Sequence, residues 1–253
     1  MADSSPVTPR PAATVTLARD VPGGGVEVFM VRRHINSEFV PDAFVFPGGS
    51  VKTSDIETER VPPCAPVPAG RTALGTGFRV AALRECFEEA GVLLARRDGR
   101  TLAIPPADIP RFAAYRDALD HDIITLGEVA EKEGLTLGTD ELLHWAHWIT
   151  PEAMPKRFDT HFFLAESPPE QEAAHDELET TAGVWITPEN ALSGFERGEF
   201  PIVFATIHQL RALTGLHSVA DARSRFEGVT PATIIPRVVQ RDGANVIVLP
   251  DEE

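Results

Sequence analysis

Residues 84–92 read Arg-Glu-Cys-Phe-Glu-Glu-Ala-Gly-Val, and this run constrains the fold more than any other. Glu85, Glu88 and Glu89 stand at i, i+3 and i+4, so on a helix their carboxylates leave one face within a turn of each other. Val80, Leu83, Phe87, Ala90 and Leu94 recur at three- and four-residue steps. That spacing predicts a helix over 79–95, with a buried apolar stripe beside the acidic face. Carboxylates this close repel one another, so either water solvates the face or a cation sits between them. The first alternative is an ordinary acidic helix face in an acidic chain. The second is a site for a hard divalent cation, Mg²⁺ or Mn²⁺, which prefers oxygen ligands.

The flanking residues favour the second alternative. Phe46-Pro47-Gly48-Gly49 reads as a short strand ending in a tight glycine turn; Arg84 precedes the first glutamate and Gly91 follows the last. The pattern Gly-x5-Glu-x7-Arg-Glu-apolar-x-Glu-Glu-x-Gly-apolar is the Nudix box. Arg84, Glu85, Cys86, Glu88, Glu89, Gly91 and Val92 match its second half, and Gly49 matches its first glycine. The chain therefore resembles the Nudix hydrolases, which cleave diphosphates linked to another moiety. It departs from the simple box at Asp55, where the family usually has Glu, and in the 28 residues Ile56 to Leu83 that precede Arg84. That stretch is rich in Pro, Gly and Thr and reads as an inserted loop, 56–78. The split box resembles the subgroup that includes the mammalian peroxisomal coenzyme A diphosphatases. Trp148-Ile149-Thr150-Pro151 and the segment from Lys156 to Leu164 are similar to that subgroup's strand-turn-strand region.

The resemblance implies a fold and a set of roles. The fold is α/β (α+β), an α/β/α sandwich around a mixed sheet. Glu85 and Glu89 are the implied metal ligands, with Glu88 a ligand directly or through water and the Gly49 carbonyl completing the set. Arg84 is implied to orient the glutamates. The general base is Glu88 or a carboxylate of the loop 175–179, where Glu179 suits the spacing to Trp185 better than Glu177; a solvated loop acid is the alternative for both. Arg32 or its neighbour Arg33, with Arg157 and Asp159, are candidate substrate contacts, against surface charge for Arg32 and Arg33 and a structural pair for Arg157 and Asp159. The implied substrate is a small diphosphate, coenzyme A or acyl-CoA first, then ADP-ribose, NADH or a nucleotide sugar. A nucleotide sensor that does not cleave is the reading from another class. Family members are often dimers, so a homodimer is expected.

Composition sets the remaining bounds. The chain has 253 residues, 43% hydrophobic, enough for a sizeable core. Its net charge of −15 argues against a nucleic-acid backbone binder, which needs a basic face. No run approaches a membrane-spanning length, and two cysteines suggest a reducing cytoplasm rather than a disulfide framework. Residues 1–11 are expected to be a flexible arm and 12–187 the catalytic domain. Residues 188–253 are expected to form a largely helical extension packed on it, ending in a hairpin that turns at Asp242-Gly243. The eight histidines suggest no metal set: on a regular strand His144 and His147 face opposite sides, as do Trp145 and Trp148.

Overall fold

The computed structural model describes residues 7–35, 41–60, 63–68, 74–75, 77–176, 180–241 and 243–252. Strands β1 (Arg10–Asp20) and β2 (Val26–Arg33) form a hairpin over Gly23, Gly24 and Gly25, all at positive φ. The short strands β3 (Phe44–Val45) and β4 (Gly48–Ser50) lead into helix α1 (Thr53–Glu59) and then α2 (Phe78–Ala90). Next come β5 (Ala95–Arg97), β6 (Arg100–Thr101), α3 (Ile109–Asp120), α4 (Leu126–Glu133) and β7 (Leu135–Leu137). Strands β8 (Leu143–Ile149), β9 (Phe158–Glu166) and β10 (Thr180–Ile186) follow. The remaining elements are α5 (Pro188–Glu196), α6 (Phe204–Leu213), α7 (Val219–Phe226), β11 (Thr233–Ile234), β12 (Arg237–Arg241) and β13 (Ala244–Val248).

The main sheet runs β10-β2-β1-β9-β8-β11, with β3 on β2 and β4 on β1. Its β1–β9 and β8–β11 pairs are parallel and the others antiparallel, so the sheet is mixed. Alternation along the strands sends side chains to two cores. Val15, Leu17 and Phe163 pack with Leu83, Phe87 and the α3–α4 region on one face. Met30, Phe162 and Leu164 pack with Leu210, Leu213 and Ala222 on the other. The result is the expected three-layer sandwich. The segment after Thr187 supplies one helical layer and also a strand, since β11 joins the sheet beside β8. Thr187 caps α5 by accepting a hydrogen bond from the Asn190 N–H.

Several boundaries differ from the sequence expectation. The helix expected over 79–95 stops at Ala90, because Gly91 takes a left-handed conformation (φ 70°) and its N–H returns to the Phe87 carbonyl. Leu94 continues the apolar period by coincidence, on a buried extended segment. The helix is also not two-faced: Arg79 through Ala90 are all buried, the three glutamates included. The insertion begins as helix, since α1 runs through Ile56 to Glu59, started by a Lys52 N–H to Asp55 Oδ2 hydrogen bond of 2.8 Å. Farther along, the Ala65 N–H reaches the Leu137 carbonyl and Thr139 Oγ1 reaches the Ala65 carbonyl, so that part is anchored on β7. At the N-terminus β1 starts at Arg10, inside the expected arm. Asp242 lies outside the described residues, and β12 and β13 pair on either side of it.

Candidate functional site

The glycine turn and α2 meet at Arg84. Its Nε and Nη2 each donate to one oxygen of Asp55 at 3.0 Å. Nη1 donates to Glu85 Oε1 at 2.8 Å and to Glu88 Oε2 at 2.6 Å, and Nη2 also reaches the Ser50 carbonyl at 2.9 Å. The planar guanidinium thus uses its fork in two directions, clamping Asp55 on one side and two glutamates on the other. Asp55 reaches this position despite the long insertion because α1 carries it back against α2, where it is 1% exposed. Glu89 turns the other way and accepts the Gly48 N–H at 2.8 Å.

The glycines are required by proximity. A Cβ on Gly49 would lie 2.3 Å from Glu85 Oε1, and one on Gly48 would lie 2.7 Å from the Ala13 carbonyl. The backbone therefore approaches the carboxylates more closely than any side chain permits.

Charge does not balance here. Asp55, Glu85, Glu88 and Glu89 are all buried around one guanidinium. Lys52 Nζ lies 3.9 Å from Glu88 Oε1 but is drawn to Asp122 at 2.6 Å, and Arg116 donates to the Glu88 carbonyl at 2.7 Å. Burial pushes the Glu88 carboxyl up to about 7; Arg84 opposes this and Glu85 adds to it. Arg84 is held firmly charged: burial works against its charge, but Glu85, Asp55 and Glu88 outweigh that. Glu88 Oε1 is buried without a hydrogen-bond partner. A buried anionic excess with an unpartnered oxygen suits a hard divalent cation.

The carboxylates open into a cavity of ≈490 Å³. Its polar lining includes Gly49, Ser50, Lys52, Asp120, Arg33 and the three glutamates, and its apolar lining includes Phe46, Trp148, Phe158, Phe162 and Phe204. Hydrophobic walls with a few convergent polar groups are the usual character of a small-molecule site.

A family model, the NUDT19 Nudix domain, matches residues 69–213, more than half of the chain. This chain belongs to the Nudix hydrolases. It is therefore a hydrolase acting on diphosphate bonds, in a family that generally uses divalent metals. It is 29% identical over 255 residues to the acyl-coenzyme A diphosphatase NUDT19 of Homo sapiens, covering 84% of this chain and 67% of the relative. Against the Gallus gallus protein of the same description it is 28% identical over 264 residues, covering 84% and 70%. The chain thus spans about two thirds of the length of these curated relatives. A crystal structure of a NUDIX hydrolase from Alicyclobacillus acidocaldarius is 30% identical with a TM-score of 0.76, covering 86% of this chain and 96% of that one.

Within this Nudix site the candidate residues divide. Gly49, Arg84, Glu85, Glu88 and Glu89 all line the one cavity. Glu177 and Glu179 lie outside the described residues; before them, the Ala174 N–H is bonded to the Ala90 carbonyl at the end of α2. Of the candidate substrate contacts, Arg32, Arg157 and Asp159 are engaged elsewhere. Arg157 is buried and donates to the Thr150 and Val7 carbonyls, pinning the β8–β9 turn to the chain before β1. Asp159 pairs with His147 rather than with Arg157. Arg32 pairs with Asp42, and it is the alternate residue Arg33 that lines the cavity. Lys52 and Asp120 are cavity residues that the sequence reading missed. Burial pushes the Asp120 carboxyl up, and Asp176 adds to this. Neither carries a motif: Lys52 arrives with the glycine turn and Asp120 with the end of α3.

Proposed function

We propose that this Nudix hydrolase cleaves the diphosphate of coenzyme A or acyl-CoA with Mg²⁺ or Mn²⁺. The observation that carries the proposal is that a buried carboxylate cluster and a set of apolar and aromatic side chains line one cavity. A diphosphate needs the first and a thioester-linked acyl chain needs the second. The names of the Homo sapiens and Gallus gallus relatives support the same substrate class. ADP-ribose, NADH and nucleotide sugars share the diphosphate but carry no acyl chain.

In this reading Glu85 and Glu89 hold the metal, with Glu88 and the Gly49 carbonyl beside them. When bound there, a divalent ion would supply charge neutralisation at the diphosphate and lower the pKa of a bound water molecule. Arg84 fixes Glu85 and Glu88 at their positions, so little reorganisation accompanies charge development. Glu88 or Glu179 accepts the proton of the attacking water. Water adds to one phosphorus while the bridging P–O bond breaks, leaving a nucleoside phosphate and a phosphopantetheine. Phe46, Trp148 and Phe162 line the same cavity as the carboxylates and make its surface partly apolar. A homodimer is the proposed assembly, read by light scattering. The cytoplasm is the proposed compartment, with both cysteines free.

The test is hydrolysis of coenzyme A, acetyl-CoA, a long-chain acyl-CoA, ADP-ribose, NADH and UDP-glucose, read by mass spectrometry with Mg²⁺, Mn²⁺ or chelator. Acyl-CoA is expected to be cleaved best, with chelator abolishing turnover and Glu89→Gln reducing it by about 10²-fold or more. Preference for ADP-ribose or a nucleotide sugar would overturn the substrate reading. Binding without turnover would make the protein a sensor.

A further inference from the structure

On β9 the side chains of Phe158, Thr160 and Phe162 enter the cavity, so Asp159 and His161 project to the opposite face of the sheet. There they meet His144 and His147 of β8. The sheet pairing shifts by one residue between His144 and Ala146, a β-bulge that brings both histidines to the same side. We propose that His147, Asp159 and His161 form a second metal site, for a divalent transition ion of the zinc class, separate from the carboxylate site.

The donor atoms of the three residues all lie within 4.8 Å of one another. Asp159 Oδ1 is 2.5 Å from His147 Nε2 and 3.8 Å from His161 Nε2. The second nitrogen of each imidazole is already held. His147 Nδ1 lies 2.8 Å from Thr233 Oγ1, and His161 Nδ1 lies 2.9 Å from His144 Nε2. Metal-binding histidines have this arrangement, in which an outer partner on one nitrogen fixes the tautomer and aims the other.

The contact between His161 Nδ1 and His144 Nε2 leaves His161 Nε2 on the side of the ring that faces Asp159 Oδ1. The set of two histidines and one carboxylate suits zinc, and the side chains are 15%, 34% and 12% exposed for His147, Asp159 and His161, leaving a way in.

The metal-free arrangement differs from the bound one in stated ways. The imidazoles of His147 and His161 stack at 4.0 Å with planes 12° apart, so ligation turns them until their lone pairs converge. The ion replaces the proton shared between His147 and Asp159, and that proton is released to solvent. Because Thr233 lies on β11, the site links β8 and β9 to the segment after the catalytic domain. It acts as a bolt, not as a second catalytic centre.

The experiment titrates metal-free, full-length protein with Zn²⁺ in excess Mg²⁺ by calorimetry, and collects zinc-edge X-ray absorption on the wild type. One zinc per chain is expected, bound with proton release and carrying two imidazoles. Asp159→Asn should weaken it by about 100-fold or more, and Thr233→Ala by about 10-fold. No zinc bound in excess Mg²⁺ would overturn the proposal. So would equal binding by both variants, or an all-oxygen shell, either of which would place zinc on the glutamates. The wild-type spectrum decides even if a variant fails to fold.

Discussion

Two polar clusters, one carried by α2 and one by β8 and β9, are built in opposite ways. The Arg84 cluster takes Arg84, Glu85, Glu88 and Glu89 from a single helix, and a turn of glycines closes over it. The histidine cluster takes His144, His147, Asp159, His161 and Thr233 from three strands and depends on a bulge. In the first, side-chain geometry follows from helical spacing. In the second, a one-residue shift in pairing decides which side chains meet, and a shift of one reverses every facing downstream. Clusters within one element can be read from sequence; clusters across strands require the register.

The comparison can be broken most forcefully at Arg84. Removing this guanidinium leaves Asp55, Glu85 and Glu88 buried without their shared counter-charge. Arg84→Ala is expected to lose about 3–5 kcal/mol of stability in urea denaturation, as other broken buried pairs do. Stability unchanged within error would show that solvent already screens the cluster. A smaller effect is expected at Gly49→Ala, where the added methyl meets the Glu85 carboxylate. Overpacking there should cost about 1–3 kcal/mol, and hydrolysis should fall further than stability because Glu85 is displaced. Parallel losses would mean that only folding was affected.

The smallest effect sharpens the boundary between the two regions. Glu59 ends α1 and accepts the Gly77 N–H at the start of α2. Burial raises its carboxyl above the ordinary value of 4.5, partly offset by the Gly77 hydrogen bond and by Arg79. The folded state therefore binds this proton more tightly than the unfolded chain does. The resulting stability is present below pH 4.5 and is lost as pH rises through the raised value. Glu59→Gln removes that loss, so its melting temperature should exceed that of the wild type at pH 7 and converge on it near pH 4. A constant difference across the range would assign the effect to packing instead.

Much of the site was legible because its residues are neighbours in sequence. The spacing of Glu85, Glu88 and Glu89 and the glycines at 48 and 49 pointed to one cluster, and the structure brings these residues together. Arg157 misled because an arginine beside a site looks like a phosphate contact, whereas its fork was taken by two backbone carbonyls. The helix end misled because Leu94 kept the period after the helix had stopped. Asp120 and Lys52 gave no signal, since each is brought to the cavity by a segment with another purpose.

The sequence by itself determined the reaction class and the identity of the acidic cluster, because one helix turn fixes which side chains share a face. Only the tertiary structure decided what Asp55 does, carrying it across the insertion to grip Arg84 from both oxygens. The tertiary structure also decided that His144 and His147 share a side of β8 and that Trp145 and Trp148 pack into the same core. The physical reason is common to all three. Insertions and bulges change where a residue arrives without changing the residues around it, so the local pattern holds no trace of the outcome.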